Sequence, residues 1–264
     1  MIKRFTIVGN PVEHSISPEL FRAGYPNRPE FIYDKCLAQS AEDCVELFKS
    51  GYSGGNVTSP FKEGVLRLAD EVSAEAFAIG AVNAVIVSAE GKLSAFNTDY
   101  IGVSESLKEF GAYSSDKKYL LLGAGGAGKA AAFALSKLNV PFAIAGRRAE
   151  TIEPQAAKTG AVPIILSDKK QFYDAVENAD VIINTLYPQA DVIPEELLDE
   201  RKVVFDASYV GSALLNKAKR KTCLCIDGRY WVYRQALPAF VRFTGLEPDR
   251  QAVGKAAGIR LEKY

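Results

Sequence analysis

Residues 119–138 read YLLLGAGGAGKAAAFALSKL, and the order of their parts decides the fold. Tyr119 to Leu122 form a short apolar run, too brief for a helix and suited to a buried strand. Gly123-Ala-Gly125-Gly126-Ala-Gly128 follows at once, and the alanine-rich segment from Lys129 to Leu138 has helical composition. Strand, G-x-G-x-x-G turn and helix in that order make a dinucleotide cradle. The first glycine permits the tight turn, the second lets backbone approach a pyrophosphate, and the third lets helix and strand pack closely. The free N–H groups and positive dipole end of the helix then face the phosphates. Gly123, Gly125, Gly126 and Gly128 are therefore assigned to cofactor binding.

Downstream, the apolar runs PFAIAGRR, VPIIL, DVIINT, VVFDAS and CLCIDG follow at intervals filled by helices or loops. With YLLL they make six strands, the number a doubly wound nucleotide-binding sheet requires. The second of these strands ends in Gly146-Arg147-Arg148, about 20 residues past the third glycine, where an NAD site would place a carboxylate on the ribose 2′-hydroxyl. Arg147 and Arg148 stand there instead and can pair with a 2′-phosphate, which favours NADP. Glu150 is a nearby charge able to blunt that preference.

Upstream, residues 5–100 alternate short apolar runs with helical patterns, which predicts a mostly parallel sheet covered by helices. Ser40 and Asp43 have capping-box spacing, Pro60 is placed in a first helical turn, and AVNAVIVS and KLSAFN are joined by AEG as a hairpin. A helix over 99–110 ends at Gly111, and the polar stretch AYSSDKK marks a change of domain. The last 35 residues read as two helices, about Tyr230–Thr244 and Pro248–Leu261, packing back on the first domain. The expectation is an α/β protein of two domains. Residues 1–100, completed by C-terminal helices at about 232–264, form an N-terminal α/β substrate and catalytic domain. Residues 101–231 form a Rossmann-type, doubly wound NADP-binding domain, with a cleft between the two.

Composition narrows the function classes. In 264 residues, 32 basic side chains balance 32 acidic ones, which removes the broad positive surface that nucleic acid or an anionic membrane requires. The N-terminal MIKRFTIVGNP has no apolar stretch long enough for a signal peptide or membrane span, so the expected location is the cytoplasm. Cys36, Cys44, Cys223 and Cys225 form no CxxC pair and read as reduced packing residues. His14 is the single histidine, which rules out multi-histidine metal sites; no metal is expected.

Four segments ahead of the glycine loop, NPVEHSISP, NVTSPFK, GAVN and NTDYIG, carry more polar residues at strand ends than packing requires. Together with the Rossmann half, in this order and over nearly the whole chain, they resemble the shikimate dehydrogenases. The resemblance implies that Ser15 and Ser17 hold a substrate carboxylate, although Ser17 by itself is also a helix cap ahead of Pro18. It implies substrate contacts from Thr58, Asn83, Tyr209 and Gln235, and cofactor contacts from Asn184 and Gly228. It makes Lys62 and Asp99 the catalytic pair; read without it, Lys62 is a charged residue on a short helix. Chemistry asks for such a pair, because hydride transfer to a carbonyl leaves an oxygen that must gain a proton, and a lysine beside a carboxylate can supply it.

The implied reaction is NADP-dependent, reversible reduction of 3-dehydroshikimate to shikimate by a monomer or homodimer. The alternatives are a quinate/shikimate dehydrogenase using NAD and a non-catalytic ligand-binding regulator. Three positions depart from the family pattern. Val210-Gly211-Ser212-Ala213 follow Tyr209 where the family has a proline and then a threonine, Ala84 replaces a threonine, and Ser59 replaces an aliphatic residue.

Overall fold

Apolar runs alternating with amphipathic segments build two six-stranded sheets, one in each of two compact units. The computed structural model describes residues 2–260. One unit comprises Met1–Gly102 with Val232–Tyr264, and the other Val103–Trp231.

The first unit runs β1 (Lys3–Gly9), α1 (Ser17–Gly24), β2 (Phe31–Leu37), α2 (Ala41–Lys49), β3 (Gly54–Val57), α3 (Lys62–Leu68), β4 (Glu71–Val72), α4 (Ala74–Ile79), β5 (Ala84–Val87) and β6 (Leu93–Phe96). Then α5 (Asp99–Glu109) carries the chain into the second unit. The sheet order is β2-β1-β3-β5-β6-β4. Pairings of β1 with β2 and β3, and of β4 with β6, are parallel, but β5 runs antiparallel to both β3 and β6. The sheet is thus mixed, because the hairpin β5–β6, turning through Gly91 at φ 77°, enters beside β3.

Local signals vary in how they are used. The Ser40 hydroxyl accepts from the Asp43 N–H at 3.1 Å, while the Asp43 carboxylate reaches back to the N–H of Gln39. Pro60 lies in the turn before α3 rather than inside its first turn, since Phe61 is the N-cap and Lys62 the first helical residue. Ser17 is itself helical; Ile16 is the N-cap, and no side chain caps α1.

The second unit contains β7 (Tyr119–Leu122), α6 (Gly126–Lys137), β8 (Phe142–Gly146), α7 (Ala149–Thr159), β9 (Val162–Ile165), α8 (Lys169–Asn178), β10 (Val181–Asn184), β11 (Val203–Asp206), α9 (Ala213–Arg220) and β12 (Leu224–Ile226). All its pairings are parallel, in the order β12-β11-β10-β7-β8-β9. The order reverses between β7 and β10, the switch point at whose carboxyl ends ligands bind in such sheets. The chain changes unit inside α5, not in the polar stretch after Gly111. That stretch folds onto the start of β7, where the Tyr119 hydroxyl donates to the Ala112 carbonyl and accepts from the Ser114 N–H.

Two helices close the chain, α10 (Gly228–Thr244) and α11 (Arg250–Ala256). From α10, Phe240 and Phe243 enter the aromatic core of the first unit against Phe21 and Phe5, with ring centroids 5.1 and 5.9 Å apart. The N–H of Asp249 donates to the Gly24 carbonyl and ties the final helix to α1. The predicted end of that helix at Leu261 lies outside the described residues. Among the described residues no helix is long and apolar enough to cross a membrane.

Candidate active site

In the first unit Lys62, Asn83 and Asp99 are tied together by one short segment, Gly80 to Asn83, between α4 and β5. The Val82 N–H donates to the carbonyl of Lys62, the first residue of α3. The Ala81 carbonyl accepts from the Asn97 amide, whose oxygen takes the N–H of Asp99, the first residue of α5. Two helix starts are thereby fixed against a common brace. The Lys62 ammonium lies 2.6 Å from the Asp99 carboxylate, with the two side chains 17% and 8% exposed. An ion pair this sheltered is screened far less than a surface pair.

Asn83 uses its whole amide internally. Its nitrogen donates to Thr98 Oγ1 at 3.0 Å and Gln235 Oε1 at 2.9 Å, and its oxygen accepts the Thr98 N–H at 2.7 Å. Gln235, 7% exposed on α10, has its amide orientation set by those donors and directs Nε2 toward the Val232 carbonyl. The network continues beneath the site. Asn56 donates to the Asn83 carbonyl, and the buried Tyr33 hydroxyl donates to Asn56 Oδ1 at 2.6 Å. Burial pushes the Tyr33 phenol well above its ordinary pKa, so it stays a donor. Tyr33, Asn56, Asn97 and Thr98 escape a reading of the sequence for site residues; the only signal is that the last three fall inside the polar strand-end segments.

Ser15 and Ser17 come together, the Ser15 hydroxyl donating to Ser17 Oγ at 3.2 Å and accepting the Ser17 N–H. Thr58 follows β3, its N–H bonded to the Val8 carbonyl and its methyl group packed where Gly9 has no side chain. The structure thus joins Lys62 to Asp99, Asn83 to Gln235 and Ser15 to Ser17.

In the second unit the glycine loop has the shape of a phosphate cradle. Gly123 has φ 99°, and a Cβ on Gly128 would lie 2.2 Å from the Gly123 carbonyl, so turn and helix meet as only glycine allows. Gly125 faces open space and is the N-cap of α6, with no side-chain cap and no acidic residue in the first turn. That leaves the N–H groups at Gly125, Gly126 and beyond for an anion. Arg147 and Arg148 are exposed at the end of β8, and Arg148 meets Glu150 at 3.9 Å, both side chains largely solvated. This donor set fits a dinucleotide bearing an extra phosphate.

At the neighbouring strand ends lies a feature that sequence reading passed over. Asp206, the fully buried last residue of β11, accepts from Asn184 Nδ2 at 2.7 Å, Ser212 Oγ at 2.6 Å and the Ser208 N–H at 2.8 Å. Burial raises its carboxyl pKa, against the pull of these three hydrogen bonds. Half-buried Tyr209 sits in the loop that Ser208 and Ser212 anchor, and Ser212 also caps α9 through the Leu215 N–H. Gly228 donates its N–H to the Ser208 carbonyl, and a Cβ there would lie 2.2 Å from the Ala207 carbonyl.

Comparison with known proteins agrees with this division. A family described as "Shikimate dehydrogenase substrate binding domain" matches residues 7–85, and one described as "Shikimate / quinate 5-dehydrogenase" matches residues 105–220. The chain belongs to the shikimate dehydrogenase family. A shikimate dehydrogenase (NADP(+)) of Pyrococcus furiosus is 35% identical over 97% of this chain and 95% of its own length. Among solved structures, the shikimate dehydrogenase of Aquifex aeolicus has a TM-score of 0.88 at 30% identity, with 97% of each chain covered. The Thermus thermophilus shikimate 5-dehydrogenase, solved with NADP(H) and shikimate, has a TM-score of 0.85 at 31% identity, covering 97% of this chain and 99% of its own. The loop after Tyr209 has an ordered anchor, because Ser212 supplies the cap of α9 and a hydroxyl to Asp206.

Proposed function

We propose that this chain catalyses the reversible, NADP-dependent reduction of 3-dehydroshikimate to shikimate, with Lys62 and Asp99 as the proton-transfer pair. The observation that carries the reading is the sheltered ion pair of 2.6 Å, in a family whose relatives are named NADP(+) enzymes.

NADPH, when bound, supplies the hydride that reduces the substrate carbonyl carbon. The glycine loop and the start of α6 hold its phosphates, and Arg147 with Arg148 pairs the 2′-phosphate. Lys62 donates a proton from Nζ to the carbonyl oxygen as negative charge develops there, and solvent returns a proton to the lysine afterwards. Asp99 keeps Nζ in place. In the reverse direction neutral Lys62 accepts the hydroxyl proton. The hydroxyls of Ser15 and Ser17 orient the substrate carboxylate, Thr58, Tyr209 and Gln235 take its remaining polar groups, and Asn83 fixes Gln235. Asn184 and Gly228 line the nicotinamide end. The enzyme acts in the cytoplasm as a monomer or homodimer.

The test is the loss of nicotinamide absorbance when protein, NADPH and 3-dehydroshikimate are mixed, with NADH and 3-dehydroquinate as controls. Turnover with dehydroshikimate that prefers NADPH is expected. Binding of shikimate or NADPH without turnover in any combination would overturn the reading in favour of a ligand-binding regulator.

A further inference from the structure

We infer that Asp206 is a positioning residue whose buried carboxylate sets the nicotinamide-side geometry of the second unit, by locking the loop that carries Tyr209 to Asn184 and to the start of α10. The inference rests on the proposed reaction for its kinetic consequences, and on geometry alone for its structural ones.

A carboxylate with no solvent exposure is costly unless its oxygens are satisfied. Here three donors converge on it from two different loops. Asn184 Nδ2 comes from the end of β10, while the Ser208 N–H and the Ser212 hydroxyl come from the two shoulders of the loop after β11. Each donor is committed elsewhere as well. The Asn184 oxygen takes the Leu186 N–H, the Ser212 hydroxyl takes the Leu215 N–H, and the Ser208 carbonyl takes the Gly228 N–H. One side chain therefore links the turn after β10, the loop over 207–212 and, through Ser208, the first residue of α10. The close approach of Gly228 to the Ala207 carbonyl leaves that loop no room to slide.

Asp206 adds a side-chain anchor to the backbone bonds that join these loops, from the Ala207 N–H to the Asn184 carbonyl and from the Ala213 N–H to the Pro188 carbonyl, and none of its three bonds goes to the glycine loop or to Arg147. The roles are thereby separable: loss of the anchor disturbs alignment of the reacting groups and spares the phosphate grip. A misplacement of about 1 Å can cost on the order of a hundredfold in rate.

The decisive variant is Asp206→Asn, which keeps shape but turns an amide N–H toward the Asn184 and Ser212 donors. In the full-length protein, kcat with NADPH and dehydroshikimate is expected to fall about ten- to hundredfold, while the Kd for NADPH, read from its fluorescence, changes less than about threefold. Ser212→Ala gives a smaller loss and Ser212→Thr, which restores the hydroxyl, recovers it. Hydrogen exchange supplies the readout that does not need activity: amides over 207–212 and 185–187 exchange at least about tenfold faster in Asp206→Asn, with 123–128 unchanged. If exchange over 207–212 matches wild type, the inference is wrong whether or not the enzyme turns over. A parallel loss of NADPH affinity and kcat, with 123–128 also exposed, would equally overturn it by showing general destabilisation. Inactivity of the wild-type protein would instead defeat the proposed reaction, leaving the exchange result to judge Asp206.

Discussion

Replacing Lys62 by alanine removes the ammonium 2.6 Å from Asp99 and with it the proposed proton donor. Loss of general-acid catalysis lowers kcat by about 10²–10⁴, which at about 1.36 kcal/mol per decade is about 3–5 kcal/mol of transition-state stabilisation. The same deletion leaves Asp99, 5% exposed, without the lysine's charge. Breaking a buried pair costs about 3–5 kcal/mol of stability, and the remaining solvent access of Lys62 puts this pair at about 3 kcal/mol or less. Activity is therefore read at saturating substrates, well below the variant's melting midpoint, with circular dichroism confirming the fold. Asp99→Asn and the double variant complete a cycle. If Asp99 acts by holding Lys62, the double variant is no more than about twofold slower than Lys62→Ala, because residues acting as one unit are not additive. A Lys62→Ala enzyme with unchanged kcat and a raised KM would refute the proton-donor role, and fully multiplicative losses would refute the coupling.

Arg147→Ala removes the proposed charge-assisted contact to the 2′-phosphate, so the Kd for NADPH rises about tenfold or more while that for NADH moves less than about twofold; equal losses defeat the 2′-phosphate role of Arg147. Gly228→Ala forces a Cβ to within 2.2 Å of the Ala207 carbonyl, costing about 1–3 kcal/mol in urea unfolding as overpacking does; an unchanged midpoint would show that the backbone there yields freely. The Cys44 thiol is pushed up to about 12 by burial, so at about pH 8 it has almost no thiolate and resists alkylation until the protein unfolds. Mass-spectrometric mapping that finds Cys44 labelled in the native state as fast as a small-molecule thiol would contradict that burial.

What the sequence makes legible here is whatever depends on neighbours a few residues away. The YLLL run, the glycine spacing and the following alanines are local, and β7 and α6 form where they indicate. The hairpin β5–β6 is legible for the same reason. Strand direction in the first sheet is not, since the periodicity of AVNAVIVS is the same whether it runs with β3 or against it, and it runs against. Pro60 also misleads, because proline suits both a first helical turn and the turn before one.

The same distinction divides the site. The residues proposed to perform chemistry become visible through the family resemblance, since Lys62 read alone is a charged residue on a short helix. The residues that aim them do not. Asn83 is fixed by groups 15 and 152 residues away, and Asp206 by a group 22 residues upstream and another 6 downstream. In sequence Asp206 is merely the polar residue ending the apolar run VVFD. Its character emerges only when burial and three converging donors are seen together. It follows that the loop after Tyr209, where the sequence departs from the pattern the resemblance implies, is best judged by whether Ser212 reaches Asp206. At 2.6 Å it does, so the loop that carries Tyr209 stays tied to the end of β11.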